Sequence, residues 1–491
     1  MSQAPGQLRQ TAAVLFLVLA VTYGYFSPAA LWNENSRFDL TRSLVERGHL
    51  DIDPYQVNTE DKAFRAGHYY SDKAPAASWL GALGYGAFYA FRKLTGRPLP
   101  KQWITHPKGS PSPKTGRPLP APLLGYNGAF YRGLAMANLT ANVLPAAAAL
   151  AFLFLLLARR YGQGPALFAS LTFGLASPWW PYATLLYGHV LAGSCLLLAF
   201  LATVWDGRVS GRRLALAGHL LGWAVAAEYP AALPAALLGL LALARSKSRL
   251  RSAGLLLAGA LPVLATLAAY HTACFAAPWR LGYNFLVEPT FRAGMSQGFF
   301  GLRRPSLEIA LRLLAGPHRG LLLASPVLAL LAAGLPAWWK ARRAEALVAA
   351  AGFSALLLLN SSYYMWDGGA ACCPRHLLAG LALLAPALAP ALPAGSSRLA
   401  QAARGAAYGV AGLSALQMLA ITSVGPEPPL AVASPLADYY WPHFASGQLA
   451  ETVGSTNIGI MAGVSGLASL FPLVLFWLLA GAWLLLSRNE G

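Results

Sequence analysis

The stretch WNENSRFDLTRSLVERGHLDIDPYQVNTEDKAFRAGHYYSDKAP, Trp32–Pro75, decides the fold prediction for the whole chain. It contains eight of the 18 Asp and Glu residues, directly after the apolar run Thr11–Leu31. Most of the chain that follows consists of apolar runs of about 20 residues, the length that crosses a bilayer. A polar block between such runs is where chemistry is to be expected, so we look for functional residues here first.

The composition indicates a membrane protein. Of the 491 residues, 56% are hydrophobic and only 11% are charged, and the mean hydropathy is +0.48. Long apolar runs predict spanning helices, because a helix satisfies its own backbone hydrogen bonds in lipid. A transmembrane β-barrel would show short alternating segments instead. We therefore predict an all-α polytopic membrane protein whose first helix is an uncleaved anchor.

The net charge of +19 is better explained by topology than by nucleic-acid binding. Most Lys and Arg residues lie in short loops between apolar runs, which is typical of cytoplasmic loops. These loops all face the cytoplasm only if the run 74–91 does not cross the membrane. We therefore expect 74–91 to lie on the outer face and both termini to be cytoplasmic.

About twelve transmembrane helices are predicted. They divide the chain into an anchor (1–32), a large external loop with interfacial helices and a Pro-rich segment (33–125), and a multi-helix membrane domain (126–491). The external loop carries GRPLP twice, at Gly96–Pro100 and Gly116–Pro120, with no catalytic role assigned. After Thr11–Leu31, the predicted spans are 134–158, 165–183, 188–205, 213–228, 231–244, 252–273, 320–338, 345–363, 377–393, 406–423 and 460–486.

Several polar residues of Trp32–Pro75 are candidates for catalysis or binding. Glu34, with Asp39 as the second candidate, could take a proton from a hydroxyl or amine; each could equally be an interfacial charge. Arg37 lies between them as a binding candidate. Further along, the run GHYYSDKAP could bind a sugar or a lipid phosphate, or could form an aromatic belt with a snorkelling lysine. Its candidate residues are Tyr69, Tyr70, Asp72 and Lys73.

Other candidates lie at predicted outer turns later in the chain. His189 and Glu228 interrupt apolar runs, where a charge is costly unless it is paired or functional. The run YYMWDGGAACCPRH offers Trp366 for stacking, and Arg375 with His376 for clamping a phosphate. Arg303 adds positive charge to the same face. Each could instead be a structural or interfacial residue.

The sequence carries no Walker, GxGxxG, HExxH or GxSxG motif in its required context. Four cysteines exclude a secreted disulfide framework, although Cys274 could pair with Cys372 or Cys373 in an oxidising compartment. Energy for a reaction on the outer face would therefore have to arrive with the substrate, as it does with an activated lipid.

The layout resembles the GT-C superfamily of polyprenyl-phosphate-dependent glycosyltransferases, which includes protein O-mannosyltransferases and aminoarabinose transferases. The resemblance is carried by NENSRFDLTRSLVERGHLDID after helix one, by GHYYSDKAP and WDGGAACCPRH, and by LLARRY (Leu156–Tyr161) at a helix end. It implies a GT-C-like bundle with a large first external loop. It also implies that the carboxylate after helix one, here Glu34, is the catalytic base. A divalent cation, Mg²⁺ or Mn²⁺, is left open, and no metal ligand is assigned.

The sequence thus predicts an enzyme of the bacterial inner membrane, with its active site facing the periplasm. It would move a hexose or pentose from a polyprenyl-phosphate donor to a lipid, glycan or protein acceptor. Lys73, Arg375 and Arg303 would hold the phosphate. The alternatives are a transporter or flippase, which would show internal repeats and midplane charges, and a polymerase or ligase of lipid-linked glycans.

Overall fold

The computed structural model describes residues 5–27, 29–111, 122–205, 209–452 and 454–489. Helices dominate this part of the chain, as predicted. The α-helices, with the 3₁₀ and π turns continuous with them, are Pro5–Gly24, Trp32–Arg47, Ala76–Leu94, Gly128–Tyr161, Gln163–Leu175, Trp179–Ala183, His189–Val204, Gly211–Ala227, Tyr229–Ala244, Arg249–Phe275, Pro289–Met295, Leu307–Ala315, Leu321–Ala324, Pro326–Ser361, Arg375–Ala391, Arg398–Val424, Leu436–Tyr440 with Trp441–Ala445, Ile458–Met461, and Gly466–Leu470 with Phe471–Asn489.

Five of the described helices are long and apolar enough to cross a membrane, so the chain is an integral membrane protein. The predicted number of twelve spans is not established by these helices. Three further apolar helices are shorter, with 10–17 residues each. The five long helices are Gly128–Tyr161, Arg249–Phe275, Pro326–Ser361, Arg398–Val424 and Gly466–Leu484.

Two predicted boundaries need correction. The first helix ends at Gly24 rather than Leu31, because Phe26–Ser27 pairs as a strand with Thr456–Asn457. The predicted spans 320–338 and 345–363 lie largely within one helical segment, Pro326–Ser361. That segment is broken within 339–344, the loop predicted between these two spans, because Arg342 leaves helical geometry with φ −147° and ψ 61°.

The described residues between the helices Pro5–Gly24 and Gly128–Tyr161 form a polar cap on the bundle, residues 32–111 and 122–127. Its helix Ala76–Leu94 packs on Trp32–Arg47 and is not among the five spans found in the described chain. Two antiparallel hairpins complete the cap. They pair Lys62–Arg65 with His68–Ser71, and Gln102–His106 with Leu123–Tyr126. The second GRPLP copy, Gly116–Pro120, lies outside the described residues.

Small residues allow the helices of the bundle to approach closely. A Cβ atom at Gly218 would lie 1.9 Å from the Leu256 carbonyl oxygen, and one at Gly259 would lie 1.9 Å from that of Ala215. The two glycines therefore set the contact between Gly211–Ala227 and Arg249–Phe275. Such close backbone packing is typical of helices in membranes, where van der Waals contact drives association.

An ionic cluster ties together the ends of three helices at Glu345, whose side chain is 1% exposed. Arg160 lies 2.7 Å from Glu345 Oε2, and Arg245 lies 3.5 Å from Oε1. Arg160 also donates to the Val204 carbonyl at 2.6 Å. Buried charges are tolerated when they are paired in this way.

All four cysteines are buried and free, so Cys274 forms no disulfide with Cys372 or Cys373, a pairing that the sequence had left open. Cys274 lies in a small cluster with Leu40, Ile52 and Tyr270. Cys372 and Cys373 lie in the main core of the bundle. The two locations belong to separate packing units, so these thiols do not meet.

Candidate active site

A polar helix, Trp32–Arg47, organises the site. Its residues 34–43 are all buried although most are polar, so their side chains must find partners inside the protein. Asn35 donates to the carbonyls of Ala30 and Asn58, both at 3.0 Å. Ser36 lies 2.8 Å from the hydroxyl of Ser71. These bonds fix the helix against the first hairpin and determine where its charged residues point.

The first hairpin places a lysine between two aspartates. Lys73 Nζ lies 3.1 Å from Asp61 Oδ2 and 3.2 Å from Asp72 Oδ2. Gly282 packs directly on this turn, since a Cβ atom there would lie 2.6 Å from the Asp72 Cα. The lysine is thus held in place by two carboxylates, and its remaining N–H can face a ligand.

Two asparagines shape the turn that carries Tyr187. Asn142 donates to the carbonyls of Leu185 at 2.9 Å and Tyr187 at 3.0 Å, and Asn138 donates to that of Ala183 at 3.0 Å. Both lie at a π turn, Leu139–Val143, inside the long helix. Such turns are frequent at functional sites, and this one brings both amides to the same loop.

Glu228 joins the polar cap to this turn. Its Oε1 lies 3.0 Å from Arg37 Nη2 and 3.4 Å from His189 Nδ1. Only glycine fits beside it at position 188, where a Cβ atom would lie 2.2 Å from the Ala227 carbonyl oxygen and 2.5 Å from Glu228 Oε1. Arg37 is therefore neutralised by a carboxylate 191 residues away in sequence.

Arg375 is positioned by a glycine turn. Buried Arg319 donates to the carbonyls of Asp367 at 3.3 Å and Gly369 at 2.7 Å, and Gly368 adopts φ +74°. The Arg375 guanidinium lies 4.9 Å from the ring centroid of Tyr187. Its Nε has no hydrogen-bond partner among the described residues. Unlike Arg37 and Lys73, this cation forms no ion pair in the described part of the chain.

Arg37, Lys73, Glu228 and Arg375, together with Tyr187, line a single cavity of about 760 Å³. This volume is within the usual range for small-molecule sites. Part of its wall is apolar or aromatic, and the rest is charged. The apolar and aromatic residues include Trp32, Leu286, Phe291, Met295, Tyr283, Tyr363, Tyr364 and Leu430. The charged and imidazole residues are Arg37, Glu60, Asp61, Asp72, Lys73, Lys108, His189, Glu228, Glu288, Arg375, His376 and Glu427.

The structure brings together seven of the residues that the sequence proposed for substrate binding. They come from five separate regions of the sequence, and their roles stay predictions. These seven are Arg37, Asp72, Lys73, His189, Glu228, Arg375 and His376.

The two carboxylates proposed as base do not line the cavity. Glu34 is completely buried and lies behind Glu427, which does line it. Asp39 is also completely buried, and its Oδ1 accepts a hydrogen bond from Asn58 at 3.1 Å. Asp39 is two residues from the cavity-facing Arg37, so it lies on the opposite face of the helix. Glu34 is three residues from Arg37 and shares its face, but its carboxyl group is covered where it meets Glu427.

Four proposed binding residues also lie away from the cavity. The Tyr69 ring packs against Phe64 with centroids 4.8 Å apart, and that of Tyr70 against Phe275 at 5.8 Å. Arg303 is exposed and donates to Gln297. Trp366 packs against the main core. The alternation of strand side chains and the local turns, rather than sequence proximity, decide these positions.

Glu427 is a cavity residue that sequence reasoning missed. It lies just beyond the end of Arg398–Val424, and its Oε1 accepts a hydrogen bond from Tyr187. The signal was available, because an isolated carboxylate next to an apolar helix end is the same pattern that selected Glu228. Asp61 was overlooked as one acid among several in its block.

No group of three or more His, Cys, Asp or Glu side chains arranged to hold a metal is found among the described residues. The sequence left a divalent cation, Mg²⁺ or Mn²⁺, open and assigned it no ligands. Its participation in the reaction stays open.

Burial changes the acidity of the cavity carboxyls. It raises the pKa of Glu427 to about 7 and that of Asp72 to about 6, although Lys73 acts in the opposite direction on Asp72. It also raises the pKa of Glu228 and, more strongly, that of Glu34. These acids therefore bind protons more tightly in the folded protein than in the unfolded chain.

We expect the Glu427 carboxyl group to contribute stability that is lost as the pH rises from about 4.5 to 7. In this window Glu427, whose pKa is raised to about 7, holds its proton more in the folded protein than in the unfolded chain, so its contribution falls by up to about 1.4 kcal/mol for each pH unit. The difference in apparent melting temperature between the wild type and Glu427→Gln, measured in detergent, should therefore shift against the wild type across this window. Glu451→Gln, which alters an exposed residue of the neighbouring loop, is the control and should follow the wild type. Parallel melting temperatures for the wild type and Glu427→Gln would contradict the assignment.

Comparisons with known proteins give distant resemblances. No protein-family model matches the sequence, and no curated protein matches it. The crystal structure of ArnT from Cupriavidus metallidurans bound to undecaprenyl phosphate aligns with a TM-score of 0.49 and 18% identity, over 91% of this chain and 69% of that one. The apo structure of the same protein aligns with a TM-score of 0.48 and 15% identity, over 99% and 72% of the two chains.

Proposed function

We propose that this protein is a membrane glycosyltransferase of the GT-C type that uses a polyprenyl-phosphate-linked sugar. The observation that carries the proposal is the cavity itself. It sets an unpaired guanidinium, Arg375, and a lysine, Lys73, among buried carboxyls, and it has an apolar wall beside them. A phosphate, a hydroxyl-bearing acceptor and a prenyl chain need these three kinds of surface.

The cations would act on the phosphate. When the bond between the sugar and the phosphate breaks, negative charge develops on the phosphate oxygen. A preorganised cation stabilises that charge most effectively in a site with little water. Arg375 can offer two parallel N–H donors, whereas Lys73 acts as a point charge held by Asp61 and Asp72.

The apolar wall would hold the first isoprene units. Trp32 and Phe291 form an edge-to-face pair with ring centroids 6.4 Å apart, and Met295 and Leu430 extend the same wall. Flat aromatic and apolar surfaces bind a prenyl chain through burial of its methylene and methyl groups. The sugar would then lie between this wall and the carboxyls.

The test is donor consumption by purified protein. Protein in detergent is given isotope-labelled polyprenyl-phosphate hexoses and pentoses with an envelope extract as acceptor source, and released polyprenyl phosphate is followed by mass spectrometry. Release that requires the extract supports the proposal. If labelled donor is moved across vesicles without release, the protein is a transporter or flippase instead.

A further inference from the structure

Two buried carboxyl groups meet at the inner wall of the cavity. Glu34 is completely buried, and neither of its carboxyl oxygens has a hydrogen-bond partner among the described residues. Its side chain lies within hydrogen-bonding reach of Glu427. An isolated buried carboxylate would be costly. A second carboxyl group beside it therefore needs a physical explanation.

Glu427 is the member of the pair that faces the cavity. It is 7% exposed; its Oε1 accepts from the Tyr187 hydroxyl, and its Oε2 has no partner among the described residues. The loop is braced, because Glu451 N–H donates to the Val424 carbonyl at 2.8 Å and Thr452 Oγ1 donates to the Glu427 carbonyl at 3.3 Å. The Glu427 carboxyl group is therefore held at a fixed place, with its unpartnered oxygen buried.

The surrounding charges favour one negative charge on the pair rather than two. Two adjacent buried carboxyls cannot both ionise readily, so they share a proton and titrate as a unit. The other groups that face the pair are the Tyr187 hydroxyl, the Arg375 cation and, farther away, Asp61. One cation and one hydroxyl donor can stabilise one negative charge, which is the charge of a pair of carboxyl groups that holds one proton.

We infer that Glu34 and Glu427 share one proton, that Glu427 is the proton acceptor facing the substrate, and that Glu34 is a positioning residue that holds the shared proton. The catalytic part of this inference rests on the proposed function. Glu34 would then donate a hydrogen bond to the Glu427 carboxylate, as Tyr187 does on its other oxygen. The family resemblance implied that Glu34 is the base. We assign that role instead to Glu427, behind which Glu34 lies.

The proposed step balances as follows. The acceptor O–H proton moves to the Glu427 carboxylate, and the acceptor oxygen forms a bond to the anomeric carbon of the donor sugar. The bond between that carbon and the phosphate oxygen breaks, and its electron pair leaves with the phosphate. The products are the glycosylated acceptor and polyprenyl phosphate, whose charge faces Arg375 and Lys73.

The activity test compares three variants in the donor-release assay. Glu427→Gln removes the acceptor and should lower the rate by about 10²–10⁴-fold. Glu34→Gln should stay within about threefold of the wild type, because its amide N–H₂ replaces the shared proton as donor. Glu34→Leu should lose roughly ten- to a hundredfold, since it leaves Glu427 without that donor. If Glu34→Gln is as inactive as Glu427→Gln, Glu34 itself is the base and the inference is overturned.

An infrared measurement decides the proton's location without any reaction. At pH 8, the difference spectrum of wild type minus Glu34→Gln should show the carbonyl stretch of a protonated carboxylic acid. The corresponding difference for Glu451→Gln should show ionised carboxylate only. If the difference spectrum shows that Glu34→Gln has lost an ionised carboxylate band instead, Glu34 carries no proton and proton sharing is contradicted. If no donor is consumed but the protonated band is found, the proposed function fails and the shared proton stands.

Discussion

Replacing Arg375 with Ala is expected to lower the rate of donor consumption by about 10²–10³-fold, the usual cost of removing one preorganised charge-stabilising donor. Arg375 lines the cavity and forms no ion pair in the described chain, and its Nε has no partner there. The Tyr187 ring and the Gly368 turn hold it in place. It can therefore respond to charge that develops on the phosphate without first leaving another partner.

Two further variants make this prediction specific. Arg375→Lys keeps the charge but loses the planar pair of donors, so we expect only partial activity. Arg280→Ala removes an exposed cation elsewhere and should leave the rate unchanged. Initial rates of polyprenyl phosphate release measure all three. An Arg375→Ala rate within about twofold of the wild type would place phosphate stabilisation elsewhere.

The second large effect is on stability. Glu345→Ala should destabilise the protein by about 3–5 kcal/mol, because it leaves buried Arg160 without its ion pair. Arg160 lies 2.7 Å from Glu345, and their side chains are 11% and 1% exposed. The apparent melting temperature in detergent should therefore fall markedly, and the helices that meet at this cluster should become more accessible to protease.

A matched exposed pair provides the control. Glu308 lies 2.6 Å from Arg312, with side chains 72% and 58% exposed. Glu308→Ala should therefore cost less than about 1 kcal/mol, as is usual for surface pairs. Equal shifts in melting temperature for the two variants would show that burial is not what makes the Glu345 cluster important.

The sequence predicted the helices well, because the membrane imposes a simple rule on apolar runs. The predicted span 252–273 lies within Arg249–Phe275, and 188–205 nearly coincides with His189–Val204. The break in Pro326–Ser361 at Arg342 also falls in the loop that the sequence predicted between spans 320–338 and 345–363. Bilayer thickness and backbone hydrogen bonding decide these features, and both can be judged from local composition.

The cavity could be predicted only in part, since it depends on contacts between distant residues. Lys73 and Arg375 were proposed because their local runs combine charges with aromatic residues. Tyr187 and Glu427 meet across 240 residues, and no local pattern reports such a contact. The position of Glu34 shows the same limit. Its place at the start of a helix suggested exposure to the site, whereas packing turned the carboxyl inward.

The domain boundaries, the identities of sugar and acceptor, and the periplasmic orientation stay predictions. The sugar, the acceptor and the orientation depend on the surroundings of the protein rather than on its internal contacts. The positive charge of the loops favours the orientation, and tagging of single loops would measure it.

The most direct test of the donor site is photocrosslinking with a diazirine-bearing polyprenyl phosphate. The protein is labelled in detergent, digested, and mapped by mass spectrometry, with unlabelled undecaprenyl phosphate as competitor. Crosslinks should concentrate on Pro289–Met295 and on residues 363–365, which form the apolar wall of the cavity, and the competitor should remove them. Crosslinks spread over the exposed side chains of residues 471–484, unaffected by competitor, would contradict the central claim.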